Sequence, residues 1–462
     1  MCLKRQLEGQ TPHQSHPYRP FFITAIFLLL TTGVGWGVVF LWQIAASGKV
    51  TGVSLPHINA HGHTLIYGFL LMFILGFAYQ SFPRLWGAPL QWPAARPAVF
   101  LGLTSGIGLM VAAQLMLSPA LAVAAGILET LEVVLFTTQM RRTYLASARQ
   151  PTQDRTATRP AASTIIMFIS MAFLCLHTPL GASLSVMQLA SESRYEMIHI
   201  TSIYQPAVRY LEYHGTVLLM IVAVGSRLLP AFYNIPPASD RKLLIVASTI
   251  ALAALIEAGL FVTFRQLEDN RIASLLLLPW LALLTATLAL VLPWKPWKPL
   301  RDRQGRTDRV GKFVRTAWIW LIASVLFTIA LPFWSMATGT AFSHAFHSAV
   351  RQSFTVGFAT LMVMGFAAKV IPNLSGVLPN RLPSLLTSFL LVNVGLLIHV
   401  GASIASDLAP GALRLLPLAG VLQFLGVSLW AANMLSCIVS GFRQQPTITS
   451  TSRVSLSVIQ TS

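Results

Sequence analysis

The sequence predicts an all-α fold, a polytopic membrane helix bundle of about twelve transmembrane helices, and three observations predict it. The first is composition: 55% of residues are hydrophobic and 10% charged, whereas soluble domains carry about a quarter charged. The second is the length of the apolar runs, each near the ~20 residues that a helix needs to cross the hydrocarbon. The third is charge placement, because Lys and Arg concentrate in alternate short loops between those runs.

Taken in order, the runs predict spans near 20–42, 61–83, 98–117, 119–140, 161–181, 212–232, 243–264, 272–292, 314–333, 342–371, 384–405 and 415–441. The turn at Ser118-Pro119 alone separates the third from the fourth. Residues 20–443 then form one membrane domain, flanked by a polar segment 1–19 and a Ser/Thr-rich tail 444–462 expected to be disordered. The first run is too long for a cleaved signal peptide and reads as a retained span.

The basic loops hold Lys4, Arg5 and Arg19; Arg84 and Arg96; Arg141 to Arg159; Arg241 and Lys242; Lys295 to Arg315; Arg381; and Arg443 with Arg453. All fall on one side of a twelve-span path. The other side holds Lys49, a mixed loop with Glu192, Arg194, Glu196 and Arg209, the balanced stretch Arg265 to Arg271, and Asp407. By the positive-inside rule the basic side is cytoplasmic, with both termini inside. The net charge of +18 is thereby accounted for without a nucleic-acid partner, and membrane lipid is the expected surrounding. Cys2, Cys175 and Cys437 suggest neither a disulfide framework nor a thiolate metal site.

One stretch repeats. Gly68-Phe69, Gly76-Phe77, Pro83 and Gly87 recur with the same spacing at Gly357-Phe358, Gly365-Phe366, Pro372 and Gly376, and histidines precede both copies. The sixth span carries a weaker copy, His214-Gly215 through Gly225 to Pro230, with shorter spacing. Spans two, six and ten are four apart, which suits a pseudo-threefold arrangement of four-helix units. The paired glycines stay within about 80° on a helix and admit a neighbouring helix or a flat porphyrin, close helix packing being the simpler use.

Nine of the eleven histidines fall on or near the outer face: His57, His61, His63, His177, His199, His214, His344, His347 and His399. A single one reads as interfacial. So many on one side point to a haem or copper site, since imidazole ligates both and polar groups at membrane depth face the bundle interior. The candidate ligands are His61, His63, His214, His344, His347 and His399. His344 and His347 share a helix face, whereas His61 and His63 point in nearly opposite directions. Arg351, one turn below His347, is costly unless paired, and a haem propionate or a headgroup phosphate would suit it. Glu129, Glu132 and Glu257 lie inside apolar spans, where they carry protons or pair with Arg227.

These residues resemble a family. His61-Gly-His63-Thr-Leu-Ile-Tyr-Gly68-Phe69, continuing to Gly76-Phe77, Pro83 and Gly87, is similar to the HAHEM-type signature of the NnrS family, and Tyr18-Arg19-Pro20-Phe21-Phe22 is similar to that family's first span. The resemblance implies a bacterial membrane protein of about twelve spans that contains haem and copper and serves nitric oxide metabolism, with His61 and His63 at the motif positions. Thr64 stands where the family usually has Glu, and Pro372-Asn-Leu-Ser-Gly376 replaces a later HTGR-type ending.

The stretch from Ala345-Phe-His347 to Gly376 also looks like the haem-ligand helix of the haem–copper oxidase catalytic subunit, although the adjacent histidines and His-x3-Tyr pattern of that subunit are missing. Two further roles therefore stand beside the first. One is an oxidoreductase subunit served by a redox partner protein; the other is a metal-free transporter or structural membrane protein.

Overall fold

In the computed structural model, residues 16–148, 161–233, 235–301, 305, 307–340, 342–377 and 385–443 are described. The expected tail 444–462, His13 and Cys2 lie outside them. Among the described residues twelve helices are long and apolar enough to cross a membrane. They are α1 (Tyr18–Ser47), α2 (Leu55–Trp86), α3 (Ala95–Met116), α4 (Pro119–Ser147), α5 (Ala162–Leu189), α6 (Arg194–Phe232), α7 (Asp240–Leu267), α8 (Asn270–Trp294), α9 (Gly311–Thr338), α10 (His344–Leu374), α11 (Leu386–Ser406) and α12 (Pro410–Ser440). The predicted bundle is the observed one.

One boundary differs in a way that matters. The sixth helix starts at Arg194 rather than near 212, because Ser193 Oγ accepts a hydrogen bond from the Glu196 N–H and Glu196 reaches back to the Glu192 N–H. That reciprocal cap begins the helix early. His199 and Arg209, expected in a loop, are therefore helical.

The helices form three four-helix units closed into a ring. Within the units α1 packs on α2, α5 on α6 and α9 on α10, while α3 pairs with α4, α7 with α8 and α11 with α12. Between units, α4 meets α5, α8 meets α9, and α12 returns to α1. Helices α2, α6 and α10 are the inner set: 78%, 67% and 67% of their apolar windows are buried, against 28–50% for the other nine. Apolar side chains on the outer helices face the position of lipid, so low burial there costs nothing in a bilayer.

Each inner helix contains a π-helical segment of eight residues: Thr64–Leu71, Leu211–Leu218 and Ser353–Thr360. Aligning the segments puts Gly68, Gly215 and Gly357 at one position, and Pro83, Pro230 and Pro372 at another. The copy in α6 was thus expected with shorter spacing only because Gly225 was matched to Gly76 and Gly365. The true equivalent is Ala223, and Gly215 to Pro230 has the full spacing.

Those glycines serve helix packing. A Cβ at Gly68 would lie 2.8 Å from Leu28 of α1, at Gly215 2.1 Å from Phe173 of α5, and at Gly357 2.6 Å from Trp320 of α9. Gly76 and Gly365 meet the same helices one level further, at Phe21 and Phe313. No side chain fits at these crossings, which explains the repeat without a porphyrin. Gly87 and Gly376 adopt left-handed φ of 68° and 71°, and the Ala88 and Val377 N–H groups close back onto the Pro83 and Pro372 carbonyls. This is the glycine termination that the proline beforehand makes necessary. The equivalent position in α6, residue 234, lies outside the described residues.

Candidate functional site

The predicted site residues gather at one end of the bundle, where α2, α6 and α10 begin. His16 is at the other end: it packs edge-on against Tyr18, and burial, with the Arg19 and Arg84 charges, holds its imidazole below the usual value. Arg84 belongs to the last turn of α2, a full span from His61.

Two centres form at the histidine end. The first is built on Arg351. Arg351 is exposed, and its charge acts on His61 of α2, on His344 and His347 of its own helix, and on His399 of α11. Tyr213 and Arg209 of α6 act on it in turn. All three inner helices thus converge here. Arg351 has no hydrogen-bond or ion-pair acceptor among the described residues.

The imidazoles around it are oriented by backbone. His61 Nδ1 lies 3.2 Å from the Thr32 carbonyl, and its ring sits edge-on to Phe40. His347 Nδ1 lies 2.9 Å from the Ser343 carbonyl, with the ring stacked on Phe342. A carbonyl only accepts, so in both rings Nδ1 carries the proton and Nε2 keeps its lone pair. Ser343 is itself fixed: its hydroxyl donates to Asp407 at 2.5 Å and accepts from the Phe346 N–H, which caps α10. His399 is buried and its Nδ1 has no partner. His344 is exposed and packs edge-on against Phe342.

The second centre lies between α2, α4, α5 and α6, and its groups are paired. His63 Nε2 donates to Glu129 at 2.7 Å, and its ring stacks on Tyr67 with centroids 4.4 Å apart. The Thr178 hydroxyl donates to the Leu174 carbonyl and accepts from the Tyr67 hydroxyl. Tyr67 has then spent its proton, so its contact with His177 Nδ1 at 3.2 Å has the imidazole as donor. His177 Nε2 is left buried without a partner. Glu212 takes a 2.5 Å hydrogen bond from Arg209 and lies 3.9 Å from His177. Nearby, His214 Nδ1 donates to Glu257 at 3.1 Å, and the Trp280 indole N–H holds the other Glu257 oxygen at 2.6 Å.

The histidines expected as one group are therefore divided. His61, His344, His347 and His399 all feel the charge of Arg351; His63 faces away toward Glu129, as its helical phase required, and His214 is held by Glu257. No group of three or more His, Cys, Asp or Glu side chains disposed to hold a metal occurs among the described residues. The carboxylates Glu129 and Glu257 pair with histidines, while Arg227 donates to Ser163 at 2.8 Å. Glu212, Tyr67 and the Asn59–Gln188–Gln205 amides were not singled out from sequence. For Glu212 a signal existed in Arg209 three residues earlier, once both are seen to be helical.

A ring of inner helices that brings unpaired imidazole nitrogens and a lone guanidinium to one end defines a polytopic membrane protein with a polar site at that end of the bundle. The family model described as NnrS protein matches residues 12–440, and the chain belongs to the NnrS family. No curated protein matches it.

Proposed function

We propose that the Arg351 centre holds haem, with copper as a further candidate, and that the protein serves nitric oxide or nitrosative-stress handling in a bacterial inner membrane. The observation that carries this reading is the unpaired arginine. Seven residues into α10, about 10 Å along its axis, Arg351 lacks an acid partner among the described residues, and an uncompensated charge at such depth is expensive. A ligand with carboxylates, such as the propionates of a haem, supplies the missing charge through bidentate hydrogen bonds.

The neighbouring imidazoles fit that ligand. His61 and His347 donate Nδ1–H to backbone carbonyls, the arrangement that fixes a metal-binding ring and raises the basicity of Nε2. His399 adds an unpartnered ring nitrogen. His214, held through Nδ1 by Glu257, is oriented in the same way and is the candidate for a second metal, whereas His63 presents Nε2 to Glu129. Bound haem iron would supply diatomic-ligand binding and one-electron chemistry; His61 and His347 would ligate, and Arg351 would anchor.

The test is a pyridine haemochrome spectrum and copper analysis of the purified protein and its variants. His61→Ala, His347→Ala and Arg351→Gln should each lower haem content at matched protein level, with His16→Ala at wild-type content. Wild-type protein without haem or copper, or equal content in all variants, would refute the reading. Reporter fusions at the N-terminus, in the loop after α8 and at the C-terminus should all report cytoplasm, and a periplasmic loop would invert the placement of the histidine end.

A further inference from the structure

Of the three glutamates expected inside apolar spans, Glu129 and Glu257 are bonded to histidines and Glu132 is not. It lies near the middle of α4, about 20 Å along the helix from its start at Pro119. Among the described residues no ion pair engages it, and its Oε2 is buried without a hydrogen-bond partner. Arg227, an expected partner, donates to Ser163, and the Tyr79 hydroxyl donates to Gln139 at 2.9 Å.

The seam between α3 and α4 makes room for this side chain. A Cβ at Gly102 would lie 2.5 Å from the Glu132 carboxyl carbon, and one at Gly106, a turn away, 2.6 Å from Cγ of Glu129. Two glycines four apart on α3 thus seat two glutamates three apart on α4, and a larger residue at either seat would displace an acid. The seats open in different directions. Glu129 is 1% exposed and turned inward to His63. Glu132 is half-buried, and the adjoining Leu131 and Leu101 are 60% and 62% exposed where the helices meet lipid. An ionised carboxylate there would have neither water nor a countercharge, and such a group takes up a proton instead. One carboxyl alone does not supply the several oxygens that a hard metal cation requires.

We infer that Glu132 is a proton-binding site within the bilayer, a neutral carboxylic acid held in the Gly102 seat and reachable from the lipid side. Its ligand is the proton, and its reactivity is that of a carboxylic acid in hydrocarbon. A hydrophobic carbodiimide dissolved in the lipid modifies such a group. The acid proton passes to a carbodiimide nitrogen while a carboxyl oxygen bonds to the central carbon and one C=N π bond is lost. Migration of the acyl group from oxygen to nitrogen then leaves a stable N-acylurea, with nothing expelled. Glu129, Glu212 and Glu257, bonded to His63, Arg209 and His214, are expected to stay unmodified.

The experiment treats the full-length protein in phosphatidylcholine nanodiscs with dicyclohexylcarbodiimide at about pH 8, where a carboxyl in water is ionised, and locates the adduct by peptide mass spectrometry. The expected adduct sits on Glu132 and is absent from Glu132→Gln. A carbodiimide carrying a quaternary ammonium group, which stays in water, should leave Glu132 unmodified, and sodium chloride should not slow the hydrophobic reagent. Gly102→Ala fills the seat and turns the carboxyl toward lipid, so labelling there should be several-fold faster; this variant serves where Glu132→Gln does not fold. Arg351→Gln, although expected to lose haem, should be labelled as wild type is, which keeps the two sites distinguishable. The inference is overturned by no adduct on Glu132 in wild type, or by equal labelling with the water-soluble reagent, which would place the carboxyl in water. Protection by sodium would make it a metal-cation site and overturns it too, as does labelling of Gly102→Ala no faster than that of wild type.

Discussion

Arg209 and Arg351 occupy one position in two copies of the same helix, two residues before the π segments that begin at Leu211 and Ser353. In α2 that position is Gly62, and a Cβ there would lie 3.5 Å from the Arg209 guanidinium. Three residues after Arg209 stands Glu212, which pairs with it; three residues after Arg351 stands Phe354, which stacks on Tyr213 of α6 instead. The backbone repeats and the chemistry does not. One copy has become a self-compensated ion pair, the other a cation with no acid partner among the described residues. The difference shows that a pseudo-symmetric bundle keeps its backbone pattern where one copy omits the acid.

The largest expected effect comes from breaking the compensated copy. Glu212→Gln leaves Arg209 charged and enclosed, and removing one partner of a buried pair costs roughly 3–5 kcal/mol. Thermal unfolding in detergent should show it as a marked loss of stability. A change within about 1 kcal/mol, the range of surface pairs, would mean that Arg209 is compensated by something other than Glu212 and that the contrast between the copies is false.

The next effect tests the alignment on which the comparison stands. Gly215→Ala drives a methyl to 2.1 Å from the Phe173 ring, an overpacking that costs about 1–3 kcal/mol. Gly225→Ala meets nothing nearer than 3.7 Å and should be close to neutral. The reverse order of sensitivities would restore Gly225 as the repeat position and dissolve the three-copy register.

Much of the fold was legible because burial in lipid needs long apolar runs, and such runs are countable without knowing their partners. The Gly-Phe repeat was legible for a similar reason, since it records contacts with one neighbouring helix. The third copy was obscured by Ala223, which replaces a glycine, and by Gly225 two residues on. The π segments have no residue signature; they depend on where the hydrogen-bond ladder slips, which packing decides. Arg209 was placed in a loop because Arg194–Tyr210 is polar on one face, and average hydropathy cannot separate an amphipathic helix from a connection. Of the site, the separation of His61 from His63 followed from helical phase. The partners Glu129, Glu257 and Glu212 did not, being joined to His63, His214 and His177 only by packing between helices.

The smallest expected effect on the fold is also the most discriminating. Arg351→Gln removes a charge that no described residue balances, so in cofactor-free protein it should change stability by no more than about 1 kcal/mol and in the direction of gain, because a neutral amide is cheaper to keep at that depth. In protein carrying haem the sign should reverse, since the variant would lack the group proposed to anchor the ligand, and ligand binding stabilises only in proportion to affinity. Comparing the unfolding temperatures of wild type and variant in both preparations separates the two effects. A loss in cofactor-free protein as large as that of Glu212→Gln would show that Arg351 is compensated within the chain. The two arginines would then be alike, and the main support for an anionic cofactor at the Arg351 centre would be gone.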